Sequence, residues 1–135
     1  LVDVAIRGLS PAVNDPTTAV QAIDRIADLL GSVAAAPDPA EWYADPAGVA
    51  RVRMRVDTFD DLVRLGFTEI IRYGADSPQV VRRLRAALDL LDERSAGRAH
   101  PALGETRALL ESATAEAMPP AFTAIASIAD PRGLG

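Results

Sequence analysis

The sequence predicts a mainly α fold, a helical bundle of five or six helices with one small β-hairpin. Three observations carry this. Apolar residues make up 49% of the chain but aromatics only 4%, so the core is aliphatic, and Ala- and Leu-rich segments favour helix. Apolar residues recur mostly at helical spacing, most cleanly in the 3-4-3 seam Val81-Leu84-Leu88-Leu91. One segment alternates instead, with Val52, Met54 and Val56 set against Arg51, Arg53 and Arg55, which is the period of a strand.

The first nine residues place Val2, Ala5, Ile6 and Leu9 on one helical face, with Asp3 and Arg7 four apart on another. Ser10-Pro11 ends this helix, because a residue before proline is pushed out of the α region. Asp15-Pro16 starts the next, with Asp15 as N-cap and Pro16 at a position that needs no N–H. That helix is expected to reach about Leu30, burying Val20, Ile23, Ala27 and Leu30 with Ala19, Ala22, Ile26 and Leu29 beside them. Its wet side is Thr17, Gln21, Asp24, Arg25 and Asp28, and Gly31 is the expected C′ residue. Pro37, Pro39, Pro46 and Gly48 exclude a long helix over residues 33–48. Trp42-Tyr43 reads as a short strand and Asp45-Pro46-Ala47-Gly48 as a turn. The strand from Val49 to Val56 completes a hairpin with its arginine face in water and its other face apolar.

Thr58 caps the following helix, with Asp61 three positions on as a capping-box relative. Its expected buried side is Phe59, Leu62, Val63, Gly66, Phe67, Ile70 and Tyr73, with Gly74 closing it and Asp60 and Arg64 pairing across a turn. Ser77-Pro78 repeats the cap-then-proline signature before the Val81 seam. Pro101 opens a helix to about Ala117 with Leu103, Thr106, Leu110 and Ala113 as its stripe. Pro119-Pro120 breaks it. A last helix, Ala121 to Ala129, presents Phe122, Ile125 and Ile128, and Asp130-Pro131-Arg132-Gly133 ends regular structure.

At 135 residues the chain makes a single domain, residues 1–135, large enough to close a core. It has no cysteine, which removes disulfides and thiolate chemistry. All 14 basic residues are arginine, so no lysine is present to form a Schiff base. A net charge of −5 disfavours a nucleic-acid partner. The longest apolar runs fall far below the ~20 residues that span a bilayer. Leu1 is not a methionine and the first residues read as mid-element, so a fragment of a longer protein is expected.

The densest run of special residues is Leu9 to Ala19, where Pro11 and Pro16 bracket the only asparagine, Asn14. Ser10, Asn14, Asp15, Thr17 and Thr18 gather at a helix N-terminus, whose free N–H groups and dipole suit an anion. Arg7 and Arg25 add positive charge, and the oxygens alternatively suit a hard cation. These seven residues are the candidate ligand-binding set. A plain helix cap and turn explains the same residues and is favoured, since Asp15 already supplies negative charge where a phosphate would sit. His100 is the only histidine and lies in a loop before a helix, where an exposed or capping role is expected. Asp60, Asp61, Asp89, Asp92 and Glu93 read as solvated charge, the last three on an outer face with Arg85. The Arg51, Arg53, Arg55 row reads as a soluble strand face, with anionic lipid as the reading that a membrane-bound parent would favour. No catalytic residue, metal ligand set or cofactor motif is expected.

The run Leu1 to Ala19, followed by Asp24-Arg25, resembles the signature of an uncharacterised family of bacterial predicted membrane proteins, domain of unknown function 2254. The family pattern reads approximately Leu-Val-Asp-Ile-Ala-Leu-Arg-Ala-Leu-Ser-Pro-Gly-Ile-Asn-Asp-Pro-x-Thr-Ala. The Asp-Pro-x-Gly turn at 45–48 and Phe59-x-x-Leu62-Val63-x-x-x-Phe67-x-x-Ile70-x-Arg72-Tyr73-Gly74 fit as well. Gly8 replaces an alanine and Ala12 a glycine, which raises the question of whether position 12 holds a positive φ. The resemblance implies transmembrane helices before a soluble C-terminal part, of which this chain would be that part. Attachment is then through the missing N-terminal part, and an even number of spans puts the domain in the cytoplasm where the N-terminus starts there. It implies no activity. The expected function is a non-enzymatic interaction or sensing domain. The alternative is a small-ligand or ion-binding, even catalytic, domain built on the Ser-Pro-x-x-Asn-Asp-Pro loop. The Val81 seam is expected to be intramolecular core, with a homo-oligomer left open.

Overall fold

The structure is a computed structural model that describes residues 1–39 and 41–129. Its order is α1 (Val2–Leu9), α2 (Pro16–Val33), β1 (Trp42–Ala44), β2 (Ala50–Arg53), α3 (Phe59–Gly74), α4 (Pro78–Arg94), α5 (Pro101–Ala117) and α6 (Pro120–Ala126). This is the expected helical bundle with one small antiparallel hairpin. The expected end at Asp130 to Gly133 lies outside the described residues.

Helix α2 is packed on by α1, α3 and α4, while α5 covers α3 and α4 and α6 leans on α4. The core is aliphatic as composition requires. Ile23, Val63, Phe67, Ile70, Ile71, Leu84, Leu88, Leu91 and Leu110 are fully buried. The Val81-Leu84-Leu88-Leu91 seam lies wholly inside the molecule, as intramolecular core. Local signals set the helix starts. Thr58 and Asp61 close a reciprocal capping box, the Asp61 amide reaching Thr58 Oγ1 at 3.2 Å and the Thr58 amide reaching Asp61 Oδ2 at 3.1 Å. Ser77 occupies the N-cap of α4, but its side chain makes no capping bond.

Several expectations need correction. Helix α2 runs through Gly31 to Val33. A Cβ on Gly31 would lie 2.6 Å from a guanidinium nitrogen of Arg94, so this glycine makes room for an α4 side chain rather than stopping the helix. Leu29 and Tyr73, expected at the edges of buried faces, are exposed. Arg64 pairs with Asp61 at 3.7 Å and with Glu105 at 2.9 Å, not with Asp60, which turns toward His100. The apolar side chains of the hairpin, Val52 and Met54, are each half exposed, because neither strand packs on a helix. Helix α6 is shorter than expected and packs on α4 through one side only. Phe122, Ile125 and Ile128 stay exposed while Ala126 alone is buried.

Charged groups fix how the helices sit. Arg85 is not an outer-face residue. It grips Glu111 of α5 through two bonds of 2.7 and 2.8 Å and donates to the carbonyl of Ala126 at the end of α6. Arg83 is 7% exposed and pairs with Asp24 of α2 at 3.6 Å. Asp89 pairs with Arg107 at 2.7 Å.

Truncating a seam residue separates core from surface. Leu88→Ala is expected to lower unfolding free energy by about 2–5 kcal/mol in urea denaturation. Leu65→Ala, at a side chain 67% exposed, is expected to change it by no more than about 0.5 kcal/mol.

Candidate functional site

The 10–19 loop is built by short-range bonding. Helix α1 ends at Ser10, which takes an extended conformation with ψ 146° ahead of Pro11. The Ser10 amide and hydroxyl both donate to the Arg7 carbonyl, the hydroxyl at 2.8 Å. The Ser10 carbonyl then accepts from the amides of Val13 and Asn14 at 3.0 and 2.8 Å. The Asp15 amide returns to the Gly8 carbonyl at 2.7 Å. A Cβ on Gly8 would sit 2.9 Å from the Asp15 carbonyl oxygen, so glycine here permits the close approach of α1 to the start of α2.

Asn14 has φ +48°. It is the left-handed residue of this turn, and asparagine tolerates that region better than other side chains. The positive φ therefore falls at position 14, and Ala12 is outside that region. The Asn14 side chain faces solvent.

Asp15 caps α2. Its Oδ1 accepts from the amides of Thr17 and Thr18, each at 3.1 Å, and its Oδ2 accepts from the Thr18 hydroxyl at 2.6 Å. The Thr18 hydroxyl and then the Thr18 amide hold the Asp15 carboxyl below its ordinary value of 3.8, against the opposing effect of burial. The first-turn donors that an anion would need are thus already taken by a carboxylate. Beside the cap lies a shallow hollow of ≈ 270 Å³ lined by Asp3, Val4, Arg7, Gly8, Val13, Asp15 and Thr18. Of the seven candidate residues it gathers Arg7, Asp15 and Thr18. Ser10, Asn14 and Thr17 belong to the turn and the outer surface, and Arg25 lies ten residues up α2, about 15 Å along its axis. Among the described residues no group of three or more metal-ligating side chains comes together.

His100 is a second feature of interest: of the two roles expected, exposed or capping, the structure shows a buried cap. Its side chain is 8% exposed. The ring packs on Phe59 at 4.2 Å between centroids. Nε2 lies 3.0 Å from the Ala34 carbonyl, which only accepts, so Nε2 carries the proton. Nδ1 lies 3.6 Å from Asp60 Oδ1. His100 therefore caps the carbonyl end of α2 from the start of α5. Its partner stands 66 residues away, beyond the reach of any local pattern. The Asp24–Arg83 pair was more accessible to sequence reasoning. Asp24 is four residues from Val20 and three from Ala27, and Arg83 is three from Val80 and four from Ala87. A charge within each of two apolar stripes is a signal for a buried pair.

The hairpin turn forms as expected. Asp45 accepts from the amides of Ala47 and Val49 and from the Arg51 side chain at 2.8 Å, and Gly48 takes φ +80°. Arg53 bonds Glu41 at 3.1 Å and lies 5.8 Å over the Trp42 ring.

Comparison with known proteins follows the same segments. A family model described as “Predicted membrane protein (DUF2254)” matches residues 1–90. Uncharacterised proteins of Mycobacterium tuberculosis (strain H37Rv) and Mycobacterium bovis are each 35% identical to the chain over 91 residues, 67% of this chain and 17% of theirs. The chain thus spans only a small part of the length of the curated relatives it matches. No solved structure matches it.

Two outcomes test the loop's construction. Asn14→Gly keeps the left-handed turn and is expected to change stability by no more than about 0.5 kcal/mol, whereas β-branched Asn14→Val costs about 1–2 kcal/mol in denaturant titrations. For Asp15 the folded-state value is the depressed one. Its contribution is complete above the unfolded carboxylate value and is lost as pH falls through the lower folded value. Asp15→Asn does not titrate, so its Tm, followed by calorimetry, is expected to fall less steeply than wild type below about pH 4.

Proposed function

The chain belongs to the DUF2254 family of predicted membrane proteins, and from that premise we propose that it is a non-enzymatic interaction or sensing domain of an integral membrane protein. No helix among the described residues is long and apolar enough to cross a membrane. In this reading the bilayer is reached through other segments of a longer chain, with this domain on the cytoplasmic side.

The observation that carries the reading is an open groove of ≈ 700 Å³ between α3 and α5. It is lined by apolar Ile71, Ala75, Leu109, Ala113 and Ala117 together with Thr68, Glu69, Arg72 and Glu116. An apolar surface bordered by polar side chains suits a protein contact. By contrast, the polar groups of the 10–19 loop bond mostly within their own turn and cap.

A second reading keeps the loop as a small-ligand site. It is supported by the hollow beside α1, where Arg7 lies close to the Asp15–Thr18 cap. The two readings are separated by a thermal-shift screen of divalent cations, nucleotides and small anions on wild type and Arg7→Gln. Arg7→Gln removes the positive charge that lines the hollow. The interaction reading expects no compound to raise Tm differently in the two proteins. A rise of several degrees that Arg7→Gln abolishes would replace it with the ligand-site reading.

A further inference from the structure

The β1–β2 hairpin stands apart from the helical body. Its strands pair with each other, Trp42 opposite Arg53 and Tyr43 opposite Val52, and neither touches a helix. Every residue of both strands is exposed. An isolated two-stranded hairpin is only marginally stable in water, yet this one carries Trp42 at 57% exposure, with Tyr43, Val52 and Met54 each near half exposed. Burial in the domain does not account for these side chains.

The distribution of side chains fits one kind of partner. The aromatics lie together on β1, and the basic residues Arg51 and Arg53 lie on β2, with Arg55 just beyond it. Tryptophan and tyrosine favour the membrane–water interface, where an apolar ring and a polar edge are both accommodated. Arginine forms paired hydrogen bonds to phosphate and extends its stem along apolar surroundings. The strands are about 5 Å apart. Edge-on entry therefore sets Trp42 and Tyr43 at headgroup depth and the arginines one strand higher, at the phosphates. Residues 41–56 carry three arginines against Glu41 and Asp45, within a chain of net charge −5. The Arg51–Asp45 and Arg53–Glu41 pairs are solvent-exposed, so they are weak and give way readily to a phosphate.

We propose that this hairpin is a peripheral membrane contact that docks on an anionic phospholipid surface, with Trp42 and Tyr43 entering the interface and Arg51, Arg53 and Arg55 binding lipid phosphates. This rests on the reading of the domain as one that works beside a bilayer, and it names the bilayer itself as a partner. The arginine row then has a role beyond keeping a strand edge soluble.

Trp42 is the only tryptophan in the chain, so intrinsic fluorescence reports on the hairpin alone. The chain is titrated with vesicles of phosphatidylcholine containing phosphatidylglycerol, and with phosphatidylcholine vesicles as reference. The expected result is a blue shift of Trp42 emission with the anionic vesicles, reversed by salt. Binding should fall roughly 100-fold in Arg51→Gln/Arg53→Gln/Arg55→Gln, about fivefold for each arginine removed from an anionic surface. Far-ultraviolet circular dichroism of the variant should keep its helical signal, because no helix packs on the hairpin. No shift with anionic vesicles, equal binding by the triple variant, or equal binding to pure phosphatidylcholine overturns the proposal. So does a blue shift that follows protein concentration without lipid, which would make the partner a second copy of the chain. Failure with vesicles leaves the interaction reading standing on the α3–α5 groove. That reading falls only to an Arg7-dependent ligand in the thermal-shift screen.

Discussion

Helix α2 must be buried on several sides at once, and the rest of the chain is arranged to do it. Few aromatic residues are available, and Phe67 and Phe59 are the aromatic side chains of an otherwise aliphatic core. The interior is closed by many small aliphatic contacts between helices that approach closely. Val20, Ile23, Ala27 and Leu30 of α2 meet α1, α3 and α4. The small residues Ala19, Ala22 and Ala27 keep those helices near. The joint between α1 and α2 follows from this requirement. Gly8 lets the two backbones pass, Ser10 and Asn14 turn the chain, and the Asp15 cap sets the direction in which α2 leaves.

Ion pairs then choose one arrangement among the many that an aliphatic core would accept. Asp24 and Arg83 set α2 against α4. Arg64 and Glu105 tie α3 to α5, and Arg85 joins α4 to both α5 and the end of α6. His100 brings the starts of α3 and α5 to the end of α2. Arg83 is nearly buried, where loss of a charged partner is costly, whereas the Arg64–Glu105 pair is exposed and adds little net stability. The α3–α5 groove depends on that arrangement, because its walls come from the two helices that Arg64 and Glu105 tie together.

Features set within a few residues were legible in the sequence. The Asp15-Pro16 start, the Thr58 and Asp61 box, the turn at Asp45 to Gly48 and the Val81 seam all formed as their spacing indicated. Periodicity tells which side chains share a face. It does not tell whether anything covers that face. That is why the alternation at Val52 and Met54, and the stripe of Phe122, Ile125 and Ile128, keep their spacing and yet stand exposed. Links between distant parts of the chain, His100 to Ala34 or Arg85 to Ala126, left no local trace. At the loop, the sequence located Asp15 as the cap. It also grouped Arg25 with residues that helical rise carries away from it, and it put Asn14 in the turn while asking for the positive φ at position 12 instead.

The family-signature loop is built as a joint of the fold, while the proposed contact surfaces are the α3–α5 groove and the hairpin. Hydrogen exchange followed residue by residue in the native state tests this most directly. If the loop is a joint, the Asp15 and Thr18 amides, bonded to Gly8 and to the Asp15 carboxylate, exchange slowly. Asp15→Ala then accelerates them together with the amides of α1, as one cooperative unit. Fast exchange at Asp15 and Thr18 in the wild type, with α2 to α5 still protected, would contradict the account. It would show the loop to be held in place by something other than its own caps.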